Sequence, residues 1–173
     1  MNREQHLNWI YYDTGKQPGS FKLTYSFRGD DGEHRFTKHL EFLEYLEEKN
    51  LWKLTKVNHR SVLKNELVLD IDTKTTEEAT EIMKTITDRL KNEFDAPFRC
   101  FFTGSKGYHI HMYTRKWFLM SREERELEKT AIINALKCDG MKAFDKTMIA
   151  LEFTPHWKTG KKKELVMEYG LWE

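Results

Sequence analysis

The stretch Glu66-Leu67-Val68-Leu69-Asp70-Ile71-Asp72 predicts a β-strand around which the rest of the chain is organised. Side chains alternate between the faces of a strand, so the leucines and Ile71 share one face and the two aspartates share the other. Paired carboxylates repel unless a cation lies between them, and such oxygen ligands suit Mg²⁺ or Mn²⁺. In the alternative interpretation Asp72 ends the strand and Asp70 faces water. We favour a site because a charge within so apolar a strand is unusual.

Hydrophobic periodicity predicts regular elements after this strand. The first helix is opened by the capping box Thr75–Glu78 and reaches Phe94, and the second runs from the capping box Ser121–Glu124 to about Lys137. The predicted strands are Phe98–Phe102, Tyr108–Tyr113, Met148–Phe153 and Glu164–Tyr169. The order strand, helix, strand, strand, helix, strand is the split βαβ pattern of ferredoxin-like and RNA-recognition folds. We therefore predict an α+β fold with an RRM-like core and an antiparallel or mixed sheet.

The first part of the chain, residues 1–64, predicts an N-terminal α/β lobe. Phe21–Phe27 alternates apolar and polar residues, Arg28–Gly32 reads as a turn, and Glu33–Thr37 can return as the partner strand of a hairpin. Apolar residues between Leu40 and Asn50 follow helical spacing. With 173 residues, we expect one domain in which this lobe precedes the RRM-like core of residues 65–173.

The composition is that of a globular protein, with 39% hydrophobic and 33% charged residues. No apolar run reaches the roughly 20 residues of a membrane helix, and residues 1–10 contain no signal-peptide core. Cys100 and Cys138 form no CxxC pair, so we expect neither a zinc ribbon nor a disulfide framework. The expected location is cytoplasmic or nucleoid-associated. The net charge of +1 is too low for a general DNA-coating protein, so any nucleic-acid contact depends on local clusters.

The segment Thr103-Gly104-Ser105-Lys106-Gly107, followed by His109, predicts a phosphate-binding turn. Its glycines permit a sharp turn that presents backbone N–H groups, and Ser105 and Lys106 add a hydroxyl and a positive charge. His109 shares a strand face with His111, but a metal site built on both would need a third ligand. The alternative is a glycine-rich hairpin with two exposed histidines.

The segment Phe153–Lys163 combines His156 and Trp157 with four lysines. Such a cluster can hold phosphates, and a tryptophan can stack on a base; the alternative is a solvated basic turn. A weaker basic group precedes the aspartate strand and consists of Lys53, Lys56, His59 and Arg60. Asp145 and Glu152 are the candidates for a third acid.

Together these motifs resemble the archaeo-eukaryotic primase superfamily over about Lys64 to Lys163. Leu69–Asp72 matches the acidic strand of that family, and Ser105–His109 looks like its Ser/His motif. His156 with Lys158-Thr159-Gly160 resembles the His and Lys-Thr-Gly that close its third motif. Each motif is weak alone, but three in the family's order are fairly specific.

The resemblance implies a DNA primase or primase-polymerase: a metal-dependent nucleotidyltransferase that adds NTPs or dNTPs to a primer or first nucleotide. Asp70, Asp72 and Asp145 would be the catalytic metal ligands for two Mg²⁺ or Mn²⁺ ions. The nucleotide-binding residues would be Ser105, Lys106, His109, His156, Lys158 and Lys161. Implied partners are nucleoside triphosphates, single-stranded or primed DNA, and a large primase subunit or another replication or repair protein, with no membrane.

This sequence departs from the family pattern near the third acid. Asp145 lies within about one residue of the family position, but the arginine expected shortly after it is missing, so Glu152 is the reserve candidate. The zinc-binding element of many primases is absent, and the chain is short. Two other functions therefore stay open: a non-catalytic nucleotide- or nucleic-acid-binding module, and a metal-dependent nuclease. The sequence does not choose between NTP and dNTP, or between de novo priming and extension.

Overall fold

The computed structural model describes Gln5, His6, Trp9, Glu44, Glu48 and residues 25–29, 32–36, 58–137, 147–156 and 158–171. The strands are β1 (Tyr25–Gly29), β2 (Gly32–Phe36), β3 (Asn58–Ser61), β4 (Glu66–Ile71), β5 (Phe98–Phe102), β6 (Tyr108–Tyr113), β7 (Met148–Ala150) and β8 (Glu164–Tyr169). Among the described residues, the helices whose bounds are complete are α1 (Thr76–Asn92) and α2 (Arg122–Leu136), and a 3₁₀ turn spans Arg115–Phe118. The predictions for Cys138, Asp145, Trp157 and most of the helix between Leu40 and Asn50 lie outside the described residues.

The first sheet has the order β2-β1-β3-β7, and all its neighbours are antiparallel. Its β1–β2 pair, in which Gly29 lies opposite Gly32, is the hairpin expected around Arg28–Gly32. β3 links this hairpin to β7 through the pair His59 and Ala150. The sheet therefore joins the N-terminal part of the chain to a strand from its last third.

The second sheet has the order β4-β6-β5-β8 and is also antiparallel throughout. β4 and β5 are connected by α1 and are separated by β6, which is the expected split βαβ unit. The last strand, β8, pairs with β5, whereas an RNA-recognition sheet would place it beside the first strand, β4. The α+β class with two helices and antiparallel sheets is confirmed.

The hydrophobic core lies between the second sheet and the two helices. Leu67, Leu69 and Ile71 of β4 are at most 4% exposed, so the apolar face read from the sequence packs into this core. The helices contribute the buried side chains Ala79, Met83, Ile86, Leu90, Ile133 and Leu136. Thr75 caps α1 by accepting from the N–H of Glu78, and Ser121 with Glu124 forms a complete capping box on α2. Both predicted helix starts are confirmed.

The other face of the second sheet packs against the first sheet. A small apolar cluster of Val62, Val68 and Ile149 joins them. The molecule is thus layered as helices, second sheet and first sheet, and the polar face of β4 and β6 lies at the junction of the two sheets. Within the described residues, no helix is long and apolar enough to cross a bilayer.

Candidate active site

A cleft of about 1170 Å³ opens beside the polar face of β4 and β6. Seven of the residues assigned as catalytic or nucleotide-binding line it: Asp70, Asp72, Ser105, Lys106, His109, His156 and Lys158. The segment Phe153–Lys163 folds back on itself as an antiparallel turn, which we call the basic hairpin. Its Lys161 is not among the lining residues, and Asp145 lies outside the described residues. Three segments that are far apart in sequence therefore meet around one cavity.

The cleft has two walls that belong to different sheets. The site wall is formed by Asp70 and Asp72 at the end of β4, Ser105 and Lys106 of the glycine turn, and His109 of β6. The β7 wall is formed by His59 of β3 together with Met148, Ile149 and Ala150 of β7. One wall is thus charged and the other is largely apolar, an arrangement that suits a ligand with a charged group and a flat apolar group.

The two aspartates stand at the acidic end of the site wall. Asp70 is paired with His109 across the β4–β6 ladder, and its Oδ1 lies 3.4 Å from Nε2 of His109. The Asp70 side chain keeps 31% of its surface exposed, and Asp72 is exposed just beyond the end of the strand. Both carboxylates can therefore take a ligand from the cleft, as the alternation along the strand predicted.

The glycine turn is pressed directly against the aspartate strand. Thr103 donates to the carbonyl of Gly107 through both its backbone N–H, at 3.0 Å, and its hydroxyl, at 3.1 Å. A Cβ atom built on Gly107 would lie only 2.0 Å from the carbonyl oxygen of Ile71. Only glycine permits this approach, which places Ser105 and Lys106 beside Asp72.

The basic hairpin closes over the other side of the turn. His156 and Lys161 are joined by a backbone bond of 2.8 Å, and the hydroxyl of Thr159 donates to the carbonyl of Gly104. Gly104 has a φ of +88°, and a Cβ there would lie 2.4 Å from the carbonyl oxygen of Lys161. The close approaches at Gly104 and Gly107 therefore hold the aspartate strand, the glycine turn and the basic hairpin in contact with one another.

His156 is oriented by its own hairpin. The backbone N–H of Lys158 donates to its Nδ1 at 3.2 Å, so the neutral ring carries its proton on Nε2. Partial burial, and then the charge of Lys158, lower the pKa of His156 below its ordinary value of 6.5. At neutral pH the ring is therefore a hydrogen-bond donor at the cleft and carries no charge of its own.

A buried cluster of ionisable side chains lies between the two sheets next to the cleft. We call it the ion cluster, and its members, each at most 1% exposed, are Arg60, Glu66, His111, Glu152 and Lys163. Arg60 donates to both oxygens of Glu66, at 2.7 and 2.8 Å, and to both oxygens of Glu152, at 2.8 and 3.0 Å. One guanidinium therefore joins two carboxylates from different parts of the chain.

The charges of the ion cluster hold one another ionised despite burial. Burial opposes the charge on Arg60, but Glu152 and Glu66 outweigh it and raise the Arg60 pKa well above its ordinary value. Burial likewise opposes the charge on Glu66 and Glu152, but Arg60 outweighs it and lowers the pKa of both carboxyls far below their usual value. The three groups are thus charged over the whole range in which the protein would work.

His111 and Lys163 complete the ion cluster. Burial, and then the charge of Lys163, lower the pKa of His111 to about 3, so its ring is neutral. Its Nδ1 lies 3.0 Å from Glu66 and 3.3 Å from Arg60, and its Nε2 lies 3.3 Å from Nζ of Lys163 and 3.4 Å from Glu152. The shortest of these contacts favours the tautomer in which Nδ1 donates to Glu66 and Nε2 accepts from Lys163. Burial lowers the pKa of Lys163 to about 8, although Glu152 partly restores the charge.

Glu152, the reserve candidate for the third acid, does not face the cleft in this structure. Both of its carboxylate oxygens are engaged by Arg60, its side chain is fully buried, and it is not among the cleft-lining residues. Within the described residues, no group of three His, Cys, Asp or Glu side chains is placed to hold a metal. Asp70 and Asp72 supply two oxygen donors, and the assignment of Asp145 as the third stays a prediction.

The ion cluster was not predicted from the sequence. Glu66 and His111 occupy polar positions on strands that were otherwise predicted correctly, and Arg60 was placed only in a weak basic group. The available signal was the alternation of β4, which puts Glu66 on the same face as Asp70. A carboxylate on a covered face of a sheet is rarely unpaired, so a buried cationic partner for Glu66 could have been expected.

Comparison with known proteins gives a similarity of fold and no similarity of sequence. No protein-family profile and no curated protein sequence matches the chain. Among solved structures, the chain is similar to the polymerase domain of Mycobacterium tuberculosis Ligase D in complex with DNA. The TM-score is 0.59, the match covers 95% of this chain and 79% of that chain, and the sequence identity is 10%. The chain therefore shares the fold of that domain.

Proposed function

We propose that this protein is a metal-dependent, template-directed nucleotidyltransferase of the primase-polymerase type. The observation that carries the proposal is the meeting of Asp70 and Asp72 with Lys106, His109 and the basic hairpin around one cleft. Carboxylates for a divalent cation and lysines for a polyphosphate are the two requirements of nucleotidyl transfer. The likeness to a polymerase domain bound to DNA supports the same conclusion independently of the sequence motifs.

The aspartates fit a divalent cation. Both are oxygen donors at the rim of the cleft, and hard oxygen ligands are what Mg²⁺ and Mn²⁺ prefer. Asp70 and Asp72, with Asp145 as the proposed third ligand, would hold two such ions. Bound there, the ions would activate the attacking hydroxyl and offset charge on the α-phosphate as pyrophosphate leaves.

The remaining residues of the cleft would bind and orient the triphosphate. Ser105 and Lys106 offer a hydroxyl and an ammonium group from the turn, and His156 offers its Nε2 proton from the hairpin. His109 lies beside Asp70 and would donate to a phosphate oxygen rather than act as a general base. Lys158 and Lys161, both exposed, would add positive charge for the triphosphate or the template.

Primer extension on a single-stranded template tests the proposal. The purified protein is incubated with Mg²⁺ or Mn²⁺ and with NTPs or dNTPs, and products are resolved by length. We expect extension by the native protein, and its loss in Asp70→Ala and Asp72→Ala with the fold intact by circular dichroism. Asp88→Ala, which removes an exposed aspartate of α1, is the matched control and should extend normally. Extension by the two active-site variants at the native rate would refute the assignment.

A non-catalytic binding module is the second candidate. Within the described part of the cleft only two carboxylates are present, Asp70 and Asp72, whereas a full two-metal site would use three. Binding of a nucleoside triphosphate without any product in the same assay would support this module. Degradation of DNA without added nucleotides would instead favour the nuclease.

A further inference from the structure

The ion cluster connects the two walls of the cleft. Arg60 lies on β3 of the first sheet and Glu66 lies on β4 of the second, so their two bonds cross from sheet to sheet. Lys163, immediately before β8, donates through Nζ to the carbonyl of Ala150 on β7 at 2.9 Å. Charged side chains therefore hydrogen-bond across the junction at both of these places.

Lys163 itself lines the cleft, and each of the other members of the ion cluster lies close in the chain to a residue that does. Arg60 follows His59 of the β7 wall, and Ala150, the acceptor of Lys163, is itself in that wall. On the opposite side, His111 is two residues beyond His109 on β6, and Glu66 begins the strand that ends at the aspartates. A change in the length of these bonds would therefore change the separation of the walls.

Packing alone is a weak explanation for a cluster of this kind. Its two positive charges, on Arg60 and Lys163, balance the two negative charges on Glu66 and Glu152 while His111 is neutral. Buried ion pairs often add no stability over well-packed apolar side chains of the same volume. They do fix geometry, because Arg60 satisfies both carboxylates only at one position and orientation.

We propose that Arg60 is a positioning residue that sets the distance between the two walls and thereby the affinity of the cleft for a nucleoside triphosphate. Arg60 acts through Glu66 and Glu152 and touches no substrate itself. The inference rests on the proposed function, since it takes a triphosphate as the ligand that spans both walls. It adds a determinant of affinity that lies outside the sequence motifs.

The test compares variants that keep the charge of the ion cluster balanced. Arg60→Met with Glu66→Gln removes one charge of each sign and leaves Glu152 beside Lys163, whose Oε1 and Nζ are 3.6 Å apart. Arg60→Lys keeps the positive charge but loses the planar guanidinium, whose N–H groups donate to both carboxylates at once. The control, Arg89→Met with Glu93→Gln, removes an ion pair of the same types from the helix layer. Equilibrium binding of ATP and dATP with Mg²⁺ is measured where each variant is folded, and KM and kcat follow from extension.

We expect the dissociation constant to rise about tenfold in the double variant and in Arg60→Lys, with KM affected more than kcat and the control unchanged. A cluster that only stabilises the fold would lower the melting temperature and leave the affinity of the folded protein unaltered. Native affinity in a folded double variant would overturn the proposal. If the double variant does not fold, Arg60→Lys decides: native affinity overturns the proposal and weakened affinity supports it. Failure of the native protein to bind either nucleotide would instead refute the proposed function.

Discussion

Gly107→Ala should separate the glycine turn from the aspartate strand. The added Cβ would lie 2.0 Å from the carbonyl oxygen of Ile71 and 3.1 Å from its carbonyl carbon, both of them backbone atoms. Side-chain rotation cannot relieve that contact, because Cβ has no freedom relative to the backbone. The first distance must lengthen to at least 3.0 Å, so the turn or the strand end must move by about 1 Å. Gly107 does not have a positive φ, so the effect is steric and not torsional.

The expected losses of stability and of activity depend on which residues move with the glycine turn. Forcing an extra carbon into a packed site costs about 1–3 kcal/mol of stability, which a globular domain usually tolerates. A misplacement of about 1 Å within a catalytic site costs about 100-fold in rate. The turn carries Lys106, and the neighbouring pair Ile71 and Tyr108 begins the ladder that aligns Asp70 with His109. We therefore expect a folded protein with at least a tenfold weaker affinity for ATP or dATP and about 100-fold slower extension.

Thermal unfolding, nucleotide titration and primer extension on the same preparation separate the two effects. Gly170→Ala is the control, because its Cβ meets only ordinary contacts near Pro97, although its φ of +61° makes it mildly destabilising. The control should lose stability without losing nucleotide affinity. Gly107→Ala with native affinity and native extension would show that the close approach has no part in the site.

Three further predictions concern pH, capping and charge. The pKa of His111 is about 3 in the fold and 6.5 ordinarily, so the unfolded chain alone takes up this proton as pH falls from about 6.5 to about 3. Acidification through that window should therefore remove about 1.4 kcal/mol of stability per pH unit. In urea unfolding at pH 7, 6 and 5, the free energy of unfolding of His111→Gln should fall less steeply with decreasing pH than that of the native protein. Equal dependence on pH in the two proteins would contradict the lowered pKa of His111. Ser121→Ala should lower the free energy of unfolding by about 1 kcal/mol, since it removes the cap on α2, whereas Ser121→Thr should retain most of it. Lys158→Ala should weaken binding of single-stranded DNA and reduce the slope of log K against log salt by about 0.7, and Lys84→Ala on α1 should change neither.

Local patterns were sufficient to predict the secondary structure of the core and the placement of the site. The alternation of β4 assigned Leu69 to the core and Asp70 to the polar face, and the structure has them so. The capping boxes at Thr75 and Ser121 located both helix starts, because a helix N-terminus needs a local acceptor and the sequence shows it. Residues whose environment is set by their neighbours were therefore predictable.

Features that depend on distant pairing could not be read in the same way. Side chains of β8 alternate between exposed and partly buried, as in any strand with one covered face. No residue within Glu164–Tyr169 indicates whether the strand pairs with β4 or with β5. Arg60 meets Glu152 across 92 positions of sequence, so its place in the ion cluster is decided by the packing of the sheets. Glu152 was a candidate metal ligand because the sequence shows that it is a carboxylate. The sequence does not show that Arg60 binds this carboxylate in the folded protein.

One feature of the sheets bears on how the chain folds during synthesis. β7 is the border strand of the first sheet and β8 is the border strand of the second, and both belong to residues 148–169. A nascent chain that has emerged from the ribosome only through residue 147 can form the split βαβ unit and its helices, but it has neither Glu152 nor Lys163 to offset the buried Glu66 and Arg60. Such an intermediate would also lack His156 and Lys158 of the cleft, so we expect the complete candidate site to form only in a late step of folding.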